Sequence, residues 1–224
     1  MKDYRDKEMK NLLLILVFLF LFWCTPFSSP EFMKSYPDES NYMILSNALE
    51  SIIISSIISS ATILGDCLVP SHWKNFLTNL WFPQPGGTIF SRIKNGEISD
   101  TRFQTSKAQK VYSEVIKSLP SNRKDKTSFE NQIWYKIYDK YRDRENVKQC
   151  QHDYLMCRDL CTETALFLVL YLFSILIFPT IILCSPKFIC ALLILMLLFI
   201  FCTHHKMHRF VNTVIAIDIA NQPD

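Results

Sequence analysis

Apolar residues are concentrated in four blocks of the chain, at residues 12–23, 43–65, 165–184 and 188–202. Between the second and third blocks lies a stretch that contains most of the charged residues. A membrane protein collects its apolar residues into runs that can cross a bilayer, whereas a globular domain distributes them among all of its elements. The pattern therefore predicts an all-α membrane protein with about four transmembrane helices and a small, mainly helical cytoplasmic domain.

The first two blocks predict an N-terminal membrane region, residues 1–69, with helices at about 11–27 and 43–66. A cleaved signal peptide is the alternative for the first helix, because a partly basic start precedes a short apolar run. Three acidic residues in the opening ten, and Pro and Phe where a cleavage site needs small residues, favour a retained helix.

The last two blocks predict a transmembrane hairpin over residues 161–203, followed by a cytoplasmic tail at 204–224. Residues 185–187 form the expected turn of the hairpin. From about Asn146 to Pro179 the chain contains no other Pro and no Gly, so a single helix is expected to run from the polar segment into the membrane.

The basic residues indicate the orientation of the chain. If the opening residues, residues 67–160 and the tail share one side, only Lys34 and Lys187 of the 24 Lys and Arg residues lie on the other side. Basic residues concentrate on the cytoplasmic side of membrane proteins. We therefore expect a multi-pass protein of the bacterial inner membrane with both termini and the central domain in the cytoplasm.

The central segment predicts a cytoplasmic helical domain, residues 70–160, that begins with an amphipathic helix at 71–82. The apolar side chains of this helix share one face: Trp73, Phe76, Leu77, Leu80 and Trp81. Tryptophan is enriched at the membrane surface, so we expect an interfacial helix. A core helix of the cytoplasmic domain is the alternative.

Two capping-box patterns predict later helices of this domain, Ser106 with Gln109 and Thr127 with Glu130. The segment TIFSRI, residues 88–93, is expected to form a weak strand or an extended loop because it is short. Asp159 is interpreted as part of the solvated face of a charged helix.

The second apolar block contains a run of Ile and Ser, SIIISSIISSATILG, at residues 51–65. On a helix its hydroxyl groups form one stripe that ends in an acid: Ser51, Ser55, Ser59, Thr62 and Asp66. Small side chains at this spacing let helices approach closely, and their hydroxyl groups can bond across the contact. The stripe is interpreted as a helix-packing seam or, if several copies surround water, as the wall of a pore.

The central segment is rich in basic residues, which can bind phosphate groups or anionic lipid headgroups. Five of them are the candidate ligand-binding residues: Arg92, Arg102, Lys107, Arg123 and Lys124. The lipid bilayer is the expected partner, and a nucleotide-like ligand or a cytoplasmic protein is the alternative. Because the sequence contains no P-loop, GxGxxG or aromatic-basic RNA motif, no double-stranded nucleic acid is expected.

Metal and catalytic motifs are absent from the sequence. Cys157 with Cys161, and His204 with His208, each place two metal ligands four residues apart, which is too few for a tetrahedral ion. The eight cysteines are too scattered for a disulfide framework and are expected to be free thiols. Without a G-x-S-x-G or H-E-x-x-H motif, we predict no enzyme activity, no cofactor and no metal site.

Three segments carry a resemblance to known proteins: LWFPQPGGTIFSRIKNGEISDTRF, NQIWYKIYDKYRDRE and YLMCRDL. With the hairpin, they resemble a group of uncharacterised small multi-spanning proteins of the bacterial inner membrane, over about residues 83–160. More loosely, the layout of a four-helix membrane protein with a cytoplasmic sensor resembles membrane effectors of anti-phage systems. The resemblance implies a membrane effector and transfers no functional residues.

The expected function is that of a homo-oligomeric channel-like or membrane-disrupting effector controlled by its cytoplasmic domain. The hydroxyl stripe, the long helix that enters the membrane and the absence of catalytic motifs favour this function. A non-conducting membrane anchor or scaffold that recruits a soluble partner is the alternative.

Overall fold

The computed structural model describes residues 2–25, 41–79, 84–98, 100–179 and 182–222. Within these residues the secondary structure consists of nine α-helices and a 3-10 turn, with no strand. The helices are α1 Lys2–Cys24, α2 Asn41–Leu68, α3 Ser71–Thr78, α4 Ile89–Asn95, α5 Thr105–Val111, α6 Ser113–Lys117, α7 Arg123–Tyr141, α8 Glu145–Ile177 and α9 Pro186–Ala220; the 3-10 turn is Pro85–Gly87. The predicted all-α fold is confirmed.

Three helices within the described residues are long and apolar enough to cross a bilayer: Ala48–Leu68 in α2, α8 with 33 residues and α9 with 35 residues. The chain is therefore a membrane protein. About four spans are predicted from the sequence. The uncharged part of α1, residues 11–24, is about 21 Å long at 1.5 Å per residue, shorter than the hydrocarbon core of a bilayer. Residues 26–27, the predicted end of that first span, lie outside the described residues.

Prolines mark the ends of the long helices. α8 ends at Ile177, two residues before Pro179. This end is expected, because proline restricts the backbone of the residue before it and has no N–H to donate a hydrogen bond. α9 begins at Pro186, where a helix needs no backbone N–H donor. The hydroxyl of Ser185 accepts a hydrogen bond from the backbone N–H of Phe188 at 3.4 Å. The continuous helix predicted from about Asn146 is confirmed as α8.

The chain divides into two compact units. The membrane unit comprises Met1–Thr78 and Met156–Phe201, and the second unit comprises Asn79–Leu155 and Cys202–Asp224. The second unit thus combines most of the predicted cytoplasmic domain with the predicted C-terminal tail.

The predicted tail, residues 204–224, belongs to α9 as far as Ala220. Its apolar side chains recur at intervals of three and four residues and are buried: Met207, Phe210, Val211, Val214, Ile215 and Ile219. The ring of Phe210 packs edge-on against Trp134 at 5.4 Å. The tail is therefore an amphipathic core helix, and the predicted second arm of the hairpin, 188–202, is the first half of the same helix.

Residues 88–93, expected to form a strand or a loop, lie mainly in α4 instead. Ile89, Phe90 and Ile93 are fully buried, so tertiary packing stabilises a helix that is too short to form alone. Gly96 ends α4 in the left-handed conformation with φ 71°, which glycine adopts without a steric penalty.

α7 begins earlier than the predicted start at Thr127. The side chain of Asn122 caps the helix by accepting a hydrogen bond from the backbone N–H of Lys124 at 3.3 Å. The hydroxyl of Thr127 donates to the Arg123 carbonyl at 3.0 Å, a bond inside the helix. The predicted cap at Ser106 is also wrong, since α5 begins at Thr105 without a side-chain cap.

Aromatic rings form much of the core of the membrane unit. Phe20 of α1 packs edge-on against Tyr171 of α8 at 5.9 Å, and Tyr171 packs against Phe188 of α9 at 5.0 Å. The Tyr171 hydroxyl donates to the Leu183 carbonyl at 3.0 Å and accepts from the Ser185 N–H at 2.9 Å. These bonds satisfy backbone groups of the turn between α8 and α9 that lipid cannot satisfy.

The predicted interfacial helix, 71–82, corresponds to α3, which ends at Thr78; residues 80–82 lie outside the described residues. Trp73 and Phe76 are 58% and 61% exposed, whereas Lys74 and Thr78 are buried. Apolar side chains outside and polar side chains inside are what a helix in contact with lipid requires. The location of α3 at the membrane surface remains a prediction.

Candidate functional site

The membrane unit contains a cluster of buried ionisable side chains. We call it the charged cluster; its members are Asp66 at the end of α2, Lys74 on α3, and Arg158, Asp159 and Glu163 on α8. All five side chains are buried. Ionisable groups within membrane segments are costly and mark ion or proton sites more often than structural ones.

Local sequence brings α3 back towards the end of α2. Val69 and Pro70 separate the two helices, and the Pro70 carbonyl accepts the first hydrogen bond of α3, from the Trp73 N–H at 3.0 Å. Because α3 turns its polar face inward, the Lys74 ammonium reaches Asp66 Oδ1 at 2.6 Å.

α8 supplies the remaining three charges of the cluster. Arg158 donates from Nε and Nη2 to Asp159 Oδ1 at 3.1 and 3.0 Å, and from Nη1 to Asn75 Oδ1 at 3.2 Å. The Lys74 ammonium lies 3.5 Å from the same Asp159 oxygen. Asp159, interpreted from the sequence as solvated, is 1% exposed, so that interpretation is wrong. Lys74 is thus shared between the two aspartates, and Arg158 binds Asp159.

Glu163 is the exception within the charged cluster. Its side chain is fully buried, and neither carboxylate oxygen has a hydrogen-bond donor among the residues that the structure describes. The charges that act on it are those of Asp66, Asp159 and Lys74. A buried carboxylate without a donor is strongly disfavoured in its ionised form.

The predicted hydroxyl stripe leads to this cluster along α2. Four of its members, Ser51, Ser55, Thr62 and Asp66, are buried within one chain, and Ser59 is half-buried. Three hydroxyl groups donate to carbonyls of their own helix at 2.8 Å: Ser55 to Ile52, Ser59 to Ser55, and Thr62 to Ile58. The structure therefore places the stripe in a packing seam of the single chain.

Close packing of α2 against α8 accompanies the seam. A Cβ atom at Gly65 would lie 3.3 Å from the Leu166 side chain, so even alanine would press on α8 here. The opposite face of α2 exposes Ser56 and Ser60 among isoleucines and borders a shallow groove of about 500 Å³. Ser56 and Ser60 are not part of the predicted stripe.

The five predicted basic ligand-binding residues do not share one environment. Arg92 donates from Nη1 to His208 Nδ1 at 2.7 Å, and burial lowers its pKa. Arg102 donates to Thr213 Oγ1 at 2.7 Å and to Asp100, a bond that raises the pKa of the guanidinium. Both arginines therefore bind α9 and serve the internal structure of the second unit.

The other three basic residues differ in their exposure. Lys107 is half-buried, whereas Arg123 and Lys124 are exposed at the start of α7. Arg123 and Lys124 border an open groove of about 640 Å³ that Gln84 and Asn131 also line. Of the five predicted residues, these two remain available to an anionic ligand.

The histidines of α9 interact with each other instead of surrounding an ion. His208 Nε2 lies 2.9 Å from His204 Nε2, and Arg92 occupies the other ring nitrogen of His208. Within the described residues no three His, Cys, Asp or Glu side chains are grouped so that they could hold a metal ion.

Sequence reasoning found Asp66 but missed Lys74, Arg158, Asp159 and Glu163. Glu163 lies next to the uncharged run that begins at Thr164, and that position was the signal that could have identified it. Arg158 carried no such signal, because it lies in a segment with many other charges. Lys74 lies on the polar face of the predicted interfacial helix, where a lysine is expected to be exposed.

No protein-family model, curated protein or solved structure matches the chain. Its function is therefore inferred from the charged cluster and the helices that carry it.

Proposed function

We propose that this membrane protein is a homo-oligomeric channel-like or membrane-disrupting effector of the bacterial inner membrane. The charged cluster carries the proposal, because buried charges among membrane-spanning helices are retained mainly where ions or protons move. Both termini and residues 70–160 lie in the cytoplasm, and residues 79–155 receive the activating signal. The resemblance in layout extends the proposal to anti-phage defence.

The proposed conducting state differs from the described one. Since Ser51, Ser55 and Thr62 are buried within a single chain, α2 must rotate or separate from its neighbours before the stripe can face water. The Lys74–Asp66 ion pair connects α2 to α3 and opposes that movement. The described conformation is then the closed one.

Control by the second unit operates through two continuous helices. α8 includes residues 145–155 of the second unit and residues 156–177 of the membrane unit, and α9 likewise contributes to both units. A rigid helix transmits a shift along its whole length, so a ligand or a protein on the second unit can alter the charged cluster. The exposed Arg123 and Lys124 are the proposed contact for an anionic ligand.

A non-conducting anchor is the second candidate function. It is favoured by the hydroxyl stripe, whose Ser55 and Thr62 side chains are buried and bonded to their own helix without any second copy. In that case the second unit recruits a soluble protein, and the charged cluster only holds α2, α3 and α8 together.

Mass measurement in detergent and ion flux through proteoliposomes distinguish the two functions. We expect an oligomer whose flux changes in Asp66→Asn, which weakens the attachment of Lys74. Glu50→Gln is the matched control, because Glu50 is an exposed acid on the same helix. A monomer that never conducts, with or without cell extract, excludes the effector function, and a stoichiometric co-purifying protein then supports the anchor.

A further inference from the structure

We propose that Glu163 is a proton-binding site inside the membrane unit, and that its proton keeps the charged cluster closed. The assignment of a proton to Glu163 depends only on the surroundings of this side chain. The statement that the proton keeps the charged cluster closed rests on the proposed conducting function.

The donors near Glu163 are already used. The hydroxyl groups of its neighbours Thr162 and Thr164 donate to the carbonyls of Arg158 and Leu160, at 3.1 and 2.8 Å. The Arg158 guanidinium is bonded to Asp159 and Asn75. An ionised Glu163 would therefore have a full negative charge without a single donor, in a site closed to water.

The charges of the cluster also favour one additional proton. Three carboxylates, on Asp66, Asp159 and Glu163, face two bases, Lys74 and Arg158, so the fully ionised cluster has an excess negative charge. The uncharged stretches 11–24 of α1 and 188–201 of α9 supply no compensating base. A single proton on Glu163 makes the cluster neutral.

A proton fits this site better than a metal ion. Alkali and alkaline-earth cations require several oxygen ligands around one point. The described residues contain no group of three acids, histidines or cysteines with the geometry of such a site. Protonation needs only one carboxylate oxygen and forms one O–H bond, with the proton taken from water.

Loss of the proton returns the negative charge to Glu163, beside Asp66 and Asp159. Repulsion among three carboxylates then favours separation of α2 from α8, the movement that the proposed function requires. Protonation is therefore the closed state and deprotonation the conducting state.

Infrared spectroscopy of the full-length protein in lipid nanodiscs, titrated in pH, tests the proton site. The carboxylic acid C=O band of the wild type is expected to persist above the pH at which exposed acids have ionised. Glu163→Gln is expected to lose this band, whereas Glu50→Gln, which changes an exposed acid, is expected to keep it. A band that persists in Glu163→Gln, or its absence from the wild type, overturns the proposal.

A second variant covers a failure of Glu163→Gln to fold. Glu163→Asp keeps an acid at this position. The C=O band of the wild type is expected to shift in frequency when the protein is labelled with ¹³C-glutamate, whereas the band of Glu163→Asp is expected to shift only with ¹³C-aspartate. A band of Glu163→Asp that still shifts with ¹³C-glutamate overturns the assignment to Glu163.

The two proposals fail in different ways. A buried acid band together with proteoliposomes that never conduct removes the conducting function and leaves the proton site. Conduction that Glu163→Gln does not alter, without a buried acid band, removes the proton site and leaves the conducting function.

Discussion

The membrane unit and the second unit both bury carboxylates, but they give them different partners. In the second unit, Glu130 accepts hydrogen bonds from the backbone N–H and the hydroxyl of Ser91, and Asp218 accepts from Tyr112 at 2.7 Å and Tyr141 at 3.1 Å. In the membrane unit, the aspartates depend on the charges of Lys74 and Arg158. The buried carboxylates thus have neutral hydrogen-bond donors in the second unit and charged bases in the membrane unit.

The proposed function interprets that difference as a structural use of buried acids in the second unit and a functional use in the membrane unit. A carboxylate whose hydrogen bonds are satisfied by an N–H and a hydroxyl adds rigidity. In the proposed function, the network that contains the unpartnered Glu163 changes its charge when this acid loses its proton, which is the property of a switch. Four substitutions or conditions test this comparison, in order of decreasing effect.

The largest effect is expected in the charged cluster. Arg158→Met removes the closest basic partner of the buried Asp159, so unfolding in detergent should become easier by about 3–5 kcal/mol. The double variant Arg158→Met with Asp159→Leu removes both charges and should recover most of the loss. Arg142→Met is the control, because its ion pair with Asp139 is exposed and should contribute little. Equal losses in the single and double variants would contradict the ion-pair account.

Matched glutamate-to-glutamine changes compare the two units directly. In Glu130→Gln an NH₂ group replaces one of the two carboxylate oxygens that accept hydrogen bonds from Ser91. One of these bonds is lost, and the protein should be destabilised by about 1–3 kcal/mol. Glu163→Gln removes no hydrogen bond and should leave stability unchanged or raised. Thermal unfolding followed by tryptophan fluorescence measures both. A larger loss in Glu163→Gln than in Glu130→Gln would reverse the comparison.

A smaller effect on the free energy of unfolding is expected when one neutral donor of the second unit is removed. Burial raises the pKa of Tyr112, so its hydroxyl stays protonated and donates to Asp218. Tyr112→Phe should cost about 1 kcal/mol, since Tyr141 still donates to the same carboxylate. The exposed Tyr135→Phe serves as the control in the same denaturant titration, and an equal effect there would exclude a specific role for the bond.

The smallest effect concerns pH. The hydrogen bond from Arg102 holds the pKa of Asp100 below its ordinary value. A depressed carboxyl pKa contributes stability above the unfolded-state value, near 3.9, and loses it as the pH falls through the lower folded-state value. Because the Arg102 side chain is 42% exposed and solvent screens its charge, the contribution should stay below about 1 kcal/mol. Acid titration of thermal stability should be less steep in Asp100→Asn than in the wild type, and identical slopes would contradict the prediction.

The pattern of apolar residues was sufficient to predict the helices that carry the site. α2 and α8 follow from long uncharged runs with few interruptions, and a run of that length has no other low-energy conformation in lipid. The tail from 204 to 220 also contained its helical pattern, at Phe210, Val211, Val214 and Ile215. His204 and His205 concealed it, because two polar residues after a span indicate its end.

The charged cluster depended on tertiary structure. Glu163 lies far from Asp66 and Lys74 in the sequence, and no local pattern shows that the lysine of a short tryptophan-bearing helix turns inward. Asp159 illustrates the same limit, since a charged residue on a charged helix is solvated unless another element covers it.

By itself, the sequence determined that this is an all-α membrane protein and where its long helices lie, because transfer into lipid depends on additive local hydrophobicity. Only the tertiary structure decided which charges are buried together and which acid lacks a partner. Electrostatic pairing depends on distances between elements, and those distances are set by how α2, α3 and α8 pack.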